Sequence, residues 1–506
     1  MQPLEEDNGT SKFDLNLVIE EAGDTLLGSL TYNTDLFTAD RIARLVGHYQ
    51  TLLWGMIRQP EKKVSQLPLL TLAEWQQLAG WVDTAVTHPP FQPLHQRFTE
   101  QAAATPSHIA VASEGNEISY QQLNERANQL AHYLQSLGVG PDVRVGLFME
   151  RSAETMVALL GILKAGGAYV PIDPLYPPDR VTFMLEDTQV TAVITQSALA
   201  QSLQPPPGVA VVVLEQDWAT IATYSAANPV VAVAPTNLMY VLFTSGSTGR
   251  PKGVAVEHRN YLNYFHSILP QLKLEPGMHL AMTTTFATDL GTIMFWGALC
   301  LGGTAHIIPY ERATDPDRLA AYCRQHPMDV LKLVPSHLEA LMVVPNPADI
   351  IPGKLLILTG EASYWETVAK VKAVNPNCVV QDHYGVTETT CATLNYIAPA
   401  AVPTDHGAAL PKGQPLGNVR IHILDEEMQP MPIGIPGRLY IGGAGVTRGY
   451  CNHPRLTGER FIPDPFSTTP GARLYDTGDL AQYLADGSIM LSGGGRTLVN
   501  LLENID

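Results

Sequence analysis

Leu242-Phe-Thr-Ser-Gly-Ser-Thr-Gly-Arg-Pro-Lys-Gly253 is the stretch whose reading decides the fold. An apolar run ending at Phe243 passes into Thr244, Ser245, Gly246, Ser247, Thr248 and Gly249, then into Arg250, Pro251 and Lys252. This reads as an apolar strand feeding a loop of hydroxyls and glycines. Glycines let backbone N–H groups approach phosphate oxygens, hydroxyls add donors, and the lysine adds a cation. The spacing is not the GxxxxGK[ST] of a Walker loop, so a GTPase reading is set aside.

Outward from this loop, apolar strand-like runs alternate with helical periodicity. The runs are Val143 to Met149, Ala192 to Thr195, Ala210 to Leu214 and Met239 to Phe243. Between them, Leu123, Ala127, Leu130 and Leu134 share a helical face, and Met156, Leu159, Leu160 and Leu163 repeat the pattern before Gly166-Gly167 stop it. Such alternation predicts α/β layering with parallel sheets. From about Leu410 the pattern changes to short strands with Gly-rich turns (IHILD, GRLYIGG), which predicts a small barrel. At the other end, residues 13 to 32 read as a β-hairpin. Thr38 to Met56 follow as an amphipathic helix carrying Ile42, Leu45, Leu52 and Leu53. Residues 59 to 92 are Pro-spotted, with a short helix expected near Leu72 to Leu78, and a new unit opens near Pro93.

The 506 residues exceed the usual span of one domain, so more than one core is expected. A formal charge of −18 with no basic stripe argues against nucleic-acid and anionic-membrane partners. The five cysteines are scattered, with no CxxC pair, which predicts neither a disulfide framework nor a zinc knuckle. No secretory leader and no membrane-length apolar run are visible, so a reducing cytoplasm is the expected location.

TSGSTGRPKGV resembles the phosphate loop of the adenylate-forming, or AMP-binding, superfamily. LKAGGAYVPIDPLYP, residues 163–177, resembles its nonribosomal peptide synthetase branch in particular. The same order continues with Tyr384-Gly-Val-Thr-Glu-Thr389, Gly437-Arg-Leu-Tyr-Ile-Gly-Gly443, Arg448-Gly-Tyr450 and Tyr475-Asp-Thr-Gly-Asp479. The resemblance implies a core over 93–490, built of two layered, mostly parallel β-sheets with helices and a small distorted β-barrel. It also implies the C-terminal fragment of a condensation domain over 1–60, lacking the HHxxxD motif, and a linker over 61–92. Residues 491–506 are expected as an atypical hinge or the start of an interrupting segment. The C-terminal lid subdomain and its lysine are expected to be absent from these residues. Arg496 would then stand for the hinge arginine, with Leu498 in place of the hinge aspartate.

Roles follow by resemblance. Tyr384 would stack on adenine and Asp479 would take the ribose hydroxyls, with Arg496 nearby. Thr244, Ser245, Gly246, Ser247, Thr248, Gly249 and Lys252 would line the pyrophosphate path. Thr387 would bond the α-phosphate, and Glu388 would hold Mg²⁺, a hard-cation task suited to a carboxylate. Thr244, Lys252, Thr387 and Glu388 form the implied catalytic set. The implied reaction consumes ATP, makes an aminoacyl adenylate, releases pyrophosphate, and passes the acyl group to phosphopantetheine on a carrier protein. A pocket of Asp289, Leu290, Ile293, Lys332, Ile357, Thr359, Gly360, His383, Cys391 and Ala392 is implied for the amino acid. Asp289 would anchor its ammonium group, while Lys332 and His383 together suggest an acidic side chain, with asparagine the close alternative. Asp382, Val386 and Arg438 depart from the branch's usual Asn, Pro and Glu without removing an ATP contact. The alternatives are a free-standing acid–CoA or aryl-acid ligase, or a core that binds acid and nucleotide with poor turnover.

Overall fold

The computed structural model describes residues 13–244, 250–403 and 409–492. Two large sheets form the body. The seven-stranded sheet runs Gly449–Tyr450, Lys252–Glu257, Leu238–Thr244, Ala168–Ile172, Arg144–Phe148, Ala192–Thr195, Ala210–Val213. Its last five strands are parallel, as expected. Beyond them Lys252–Glu257 returns antiparallel, because Thr244 and Lys252 are hairpin register partners, and Gly449–Tyr450 pairs antiparallel with that return strand. The nine-stranded sheet runs Gln414–Pro415, Leu394–Ile397, Val379–Tyr384, Leu355–Thr359, Val330–Leu333, His279–Met282, Thr304–Ile307, Ile109–Ser113, Asn116–Ser119, with a parallel centre. The small unit after Leu410 is a five-stranded antiparallel sheet built on Val419–Leu424, Gly437–Gly443 and Arg473–Tyr483.

Strands such as Ala192–Thr195 and Leu355–Thr359 are buried at every residue, the pattern of parallel strands covered on both faces. The helix Tyr120–Ser136 starts where Ser119 and Gln122 close a capping box. The next helix, Ala153–Lys164, is buried on all sides, so its periodicity marks only part of the packed surface. Even Lys164 at its end is buried; its ammonium donates to Thr99 Oγ1 and Asn124 Oδ1, both at 2.7 Å.

Near the N-terminus, the hairpin Leu15–Ala22 with Thr25–Tyr32 and the helix Ala39–Arg58 match the sequence reading. The stretch expected as a linker lies bound along the core. Leu70 and Leu78 are buried. Glu74 contacts His48 and accepts the Ile433 amide at 3.0 Å. The Thr84 hydroxyl donates to the Val419 carbonyl, and the Val86 amide donates to Asn418 Oδ1. No helix among the described residues is long and apolar enough to cross a membrane.

Candidate active site

The ends of the glycine–hydroxyl loop are pinned by the Thr244–Lys252 pairing; Ser245, Gly246, Ser247, Thr248 and Gly249 lie outside the described residues, as does Arg496. Lys252 is buried, and its ammonium sits 5.2 Å from the centre of the Tyr450 ring. The neighbouring strand delivers that ring, since Tyr450 is the register partner of Val254. The Tyr450 hydroxyl donates to Glu388 Oε1 at 2.7 Å and lies 3.4 Å from the Tyr475 hydroxyl. One ring thus joins the loop lysine to the carboxylate singled out for a cation. In the sequence Tyr450 stands only as part of a motif, and its bridging place emerges from the strand pairing.

Tyr384 ends the strand Val379–Tyr384, and Thr387 and Glu388 follow in a short 3-10 turn, Thr387–Thr389. The Tyr384 hydroxyl donates to Asp479 Oδ2 at 2.6 Å. The turn holding Asp479 is tied twice more: its amide donates to Thr477 Oγ1 at 3.0 Å, and the Gly478 amide donates to Asp476 Oδ1 at 3.1 Å. Arg438 grips Asp476 with a two-pronged pair at 2.7 and 2.6 Å, so this departure braces the Asp479 turn. Among the described residues no cluster of three or more His, Cys, Asp or Glu could hold a metal alone. A single buried carboxylate fits Mg²⁺ arriving on phosphate oxygens, since that ion keeps few protein ligands.

The second half of the site is one face of the nine-stranded sheet. Lys332, Ile357 and Gln381 are register partners across three parallel strands, and Thr359 pairs with His383 two residues further on. Side chains alternate along a strand, so these five share a face. Leu331, Leu333, Leu356, Leu358 and Val380 point the other way into a separate core cluster. Asp382 also takes that opposite face, where it meets Lys412 at 2.9 Å with both groups buried. Its departure from the usual asparagine therefore makes a structural ion pair. Burial pushes the Asp382 carboxyl up, and Lys412 opposes the shift.

Asp289 comes to this face from the loop before the helix Thr292–Leu301 and accepts the Cys391 amide at 3.1 Å. Burial raises its carboxyl, opposed first by the Lys332 charge, then by the Cys391 amide and the Thr387 hydroxyl. Burial lowers Lys332 to about 8 against the pull of Cys391 and Asp289. Among the described residues its ammonium has no hydrogen-bond partner and no ion pair within 4.0 Å, although Lys332 is only 2% exposed. Burial, then Lys332, hold His383 well below the usual imidazole range. Cys391 and Ala392 are buried, with the Cys391 sulfur 3.6 Å from Thr292 Oγ1. Ile293 is fully buried, Leu290 is half-buried, and Gly360 closes the Leu355–Thr359 strand at φ 81°. Gln381 was not among the expected residues; its signal is a polar side chain inside the buried strand Val379–Tyr384.

A family model described as AMP-binding enzyme matches residues 98–451. The chain belongs to that family. A second model, for the condensation domain, matches residues 1–79. Relatives at 37% identity include chondramide synthase cmdD of Chondromyces crocatus and tyrocidine synthase 3 of Brevibacillus parabrevis, over 490 and 487 residues. Each alignment covers 96% of this chain but only 12% and 7% of those proteins. Among solved structures, the nonribosomal peptide synthetase FmoA3 in its α-methyl-L-serine-AMP bound form is similar, at TM-score 0.85 and 28% identity. That match covers 96% of this chain and 54% of the other; an AMPPNP-bound form of FmoA3 matches equally well, over 95% and 51%. This AMP-binding enzyme is thus a member of the nonribosomal peptide synthetase branch, an adenylate-forming ligase core joined to condensation-domain sequence.

Proposed function

We propose that this chain activates an acidic amino acid, aspartate or a near relative, as its aminoacyl adenylate at the expense of ATP. The adenylate is then passed to phosphopantetheine on a carrier protein of the same assembly line. One observation carries the substrate reading: the buried residue Lys332, whose ammonium has no partner among the described residues, shares a sheet face with a buried histidine and feels the charge of a buried aspartate. An unpaired buried charge is costly, so a site that keeps one is shaped for a ligand that supplies the counter-charge. Asp289 suits the α-ammonium group and Lys332 the side-chain carboxylate, leaving the α-carboxylate directed at the nucleotide.

On the nucleotide side, Asp479 oriented by Tyr384 suits ribose, and Glu388 suits Mg²⁺ bound to phosphate. The substrate carboxylate displaces pyrophosphate at the α-phosphorus. Its oxygen forms the new P–O bond as the bond to the leaving pyrophosphate breaks. The nucleophile is already an anion, so Lys252 and Thr387 act by positioning and by neutralising charge. The condensation-domain match favours an assembly-line module over a free-standing acid–CoA ligase. Amino-acid-dependent pyrophosphate release, scanned over the standard amino acids, tests the reading. Aspartate is expected to lead. Leadership by a bulky apolar or basic amino acid would reject the pocket assignment and leave the ligase family untouched.

A further inference from the structure

The inference that follows rests on the acidic-substrate reading and concerns a proton. Gln381 Nε2 donates to the backbone carbonyl of Gln271 at 2.9 Å. A carbonyl can only accept, so the orientation of the Gln381 amide is set and its Oε1 faces His383 Nε2, 3.2 Å away. Oε1 also only accepts. His383 Nε2 therefore carries the proton, and Nδ1 of the neutral ring offers a lone pair alone. Nδ1 is buried, and no described residue bonds to it.

One sheet face thus carries a charged donor, Lys332, and a bare acceptor, His383 Nδ1, near enough for the lysine charge to act on the ring. A side-chain carboxylate satisfies the lysine but meets Nδ1 lone pair to lone pair. A carboxamide satisfies both by geometry, yet it leaves the buried lysine charge uncompensated. One added proton resolves the conflict for the acid. We propose that the chain takes its acidic amino acid together with one proton from solvent, which comes to lie between His383 Nδ1 and the side-chain carboxyl oxygen. Gln381 is the positioning residue that decides which ring nitrogen receives it.

The groups around His383 agree with this assignment. Lys332, from the Val330–Leu333 strand, is the charged group acting on it, and Asp289 and Cys391 act on Lys332 in turn. The neighbouring polar groups do not titrate: Thr359, whose hydroxyl donates to the His383 carbonyl at 3.0 Å, the register partner Asn395, and Gln271. The free site therefore holds His383 neutral near pH 7. A bound carboxylate offsets the lysine charge and sets a negative charge beside Nδ1, and both effects favour the protonated ring. Binding takes up a proton, so affinity for the acid falls as pH rises.

Calorimetry of the chain with aspartate or asparagine, in phosphate and in Tris, measures this directly. About one proton is expected to be taken up per aspartate bound, and about none per asparagine. From about pH 6.5 to 7.5, below the loss of the Lys332 proton, Kd for aspartate should rise toward about tenfold and Kd for asparagine stay within about twofold. His383→Asn puts an amide near the Nδ1 position; it should bind aspartate without proton uptake, with ATP affinity unchanged as the check on folding. Aspartate binding without uptake in the parent chain would overturn the proton inference while the substrate reading stands. A proton still taken up by His383→Asn would overturn its location. If aspartate fails to bind while another amino acid does, both readings fall together.

Discussion

The two halves of the site differ in how their polar groups are satisfied. On the side proposed for the nucleotide, Asp479 is held by Tyr384, Glu388 by Tyr450, and the Asp479 turn by Thr477 and by Arg438 through Asp476. On the proposed amino-acid side, Lys332 is a buried residue whose ammonium has no hydrogen-bond or ion-pair partner among the described residues, and His383 Nδ1 is buried without one. The nucleotide half is pre-arranged by its own hydrogen bonds, a property suited to positioning a ligand that every turnover shares. The amino-acid half keeps unmet demands, and unmet demands in a buried place confer selectivity, because the wrong ligand leaves them unmet.

The largest effect expected of breaking a satisfied contact lies behind the pocket face. Lys412→Ala strands the buried Asp382 and should cost about 3 to 5 kcal/mol of stability by denaturant unfolding. Lys412→Met combined with Asp382→Asn should recover most of that loss; no recovery would mean that the pair is not the cause. Glu388→Gln keeps an acceptor for Tyr450 but removes the charge. Adenylation should slow by about 10² to 10³ at constant aspartate, the scale for losing one preorganised electrostatic group. An unchanged rate would remove Glu388 from the metal role. Asp479→Ala should weaken ATP binding by about 1.5 to 3 kcal/mol in calorimetry, the scale of hydrogen bonds to a charged group.

A smaller effect, opposite in sign, sharpens the contrast. Lys332 is held near 8, below its value in the unfolded chain, so between those values the unfolded state binds more protons and stability climbs with pH. Lys332→Leu should therefore raise apo stability by about 1 to 2 kcal/mol at neutral pH, with the gain fading as pH rises above the folded value. A loss of stability instead would show that the ammonium is satisfied in the free protein.

The same contrast explains what could be read from the sequence. The residues proposed for the nucleotide sit in contiguous runs such as Tyr384 to Thr389 and Tyr475 to Asp479, and the resemblance of those whole runs to family motifs carries their reading. Helices and parallel strands were equally legible, because buried strands of four to seven apolar residues between amphipathic helices admit few folds. The pocket draws single residues from several strands and loops, and a side chain's face depends on register, which no one strand reveals. Lys332 was found by resemblance, but its row partner Gln381 was missed. Asp382 was read as a departure beside the site although it points into the opposite core. The return strands Lys252–Glu257 and Gly449–Tyr450 pair antiparallel, a relation fixed by contacts almost 200 residues apart in sequence.

The most direct test of the acidic-substrate reading is kcat/KM for aspartate in Lys332→Leu against the parent, with ATP affinity measured on the same samples. Loss of the counter-charge should lower aspartate activation by about a hundredfold or more while ATP affinity stays within about threefold. Undiminished aspartate activation in Lys332→Leu would contradict it.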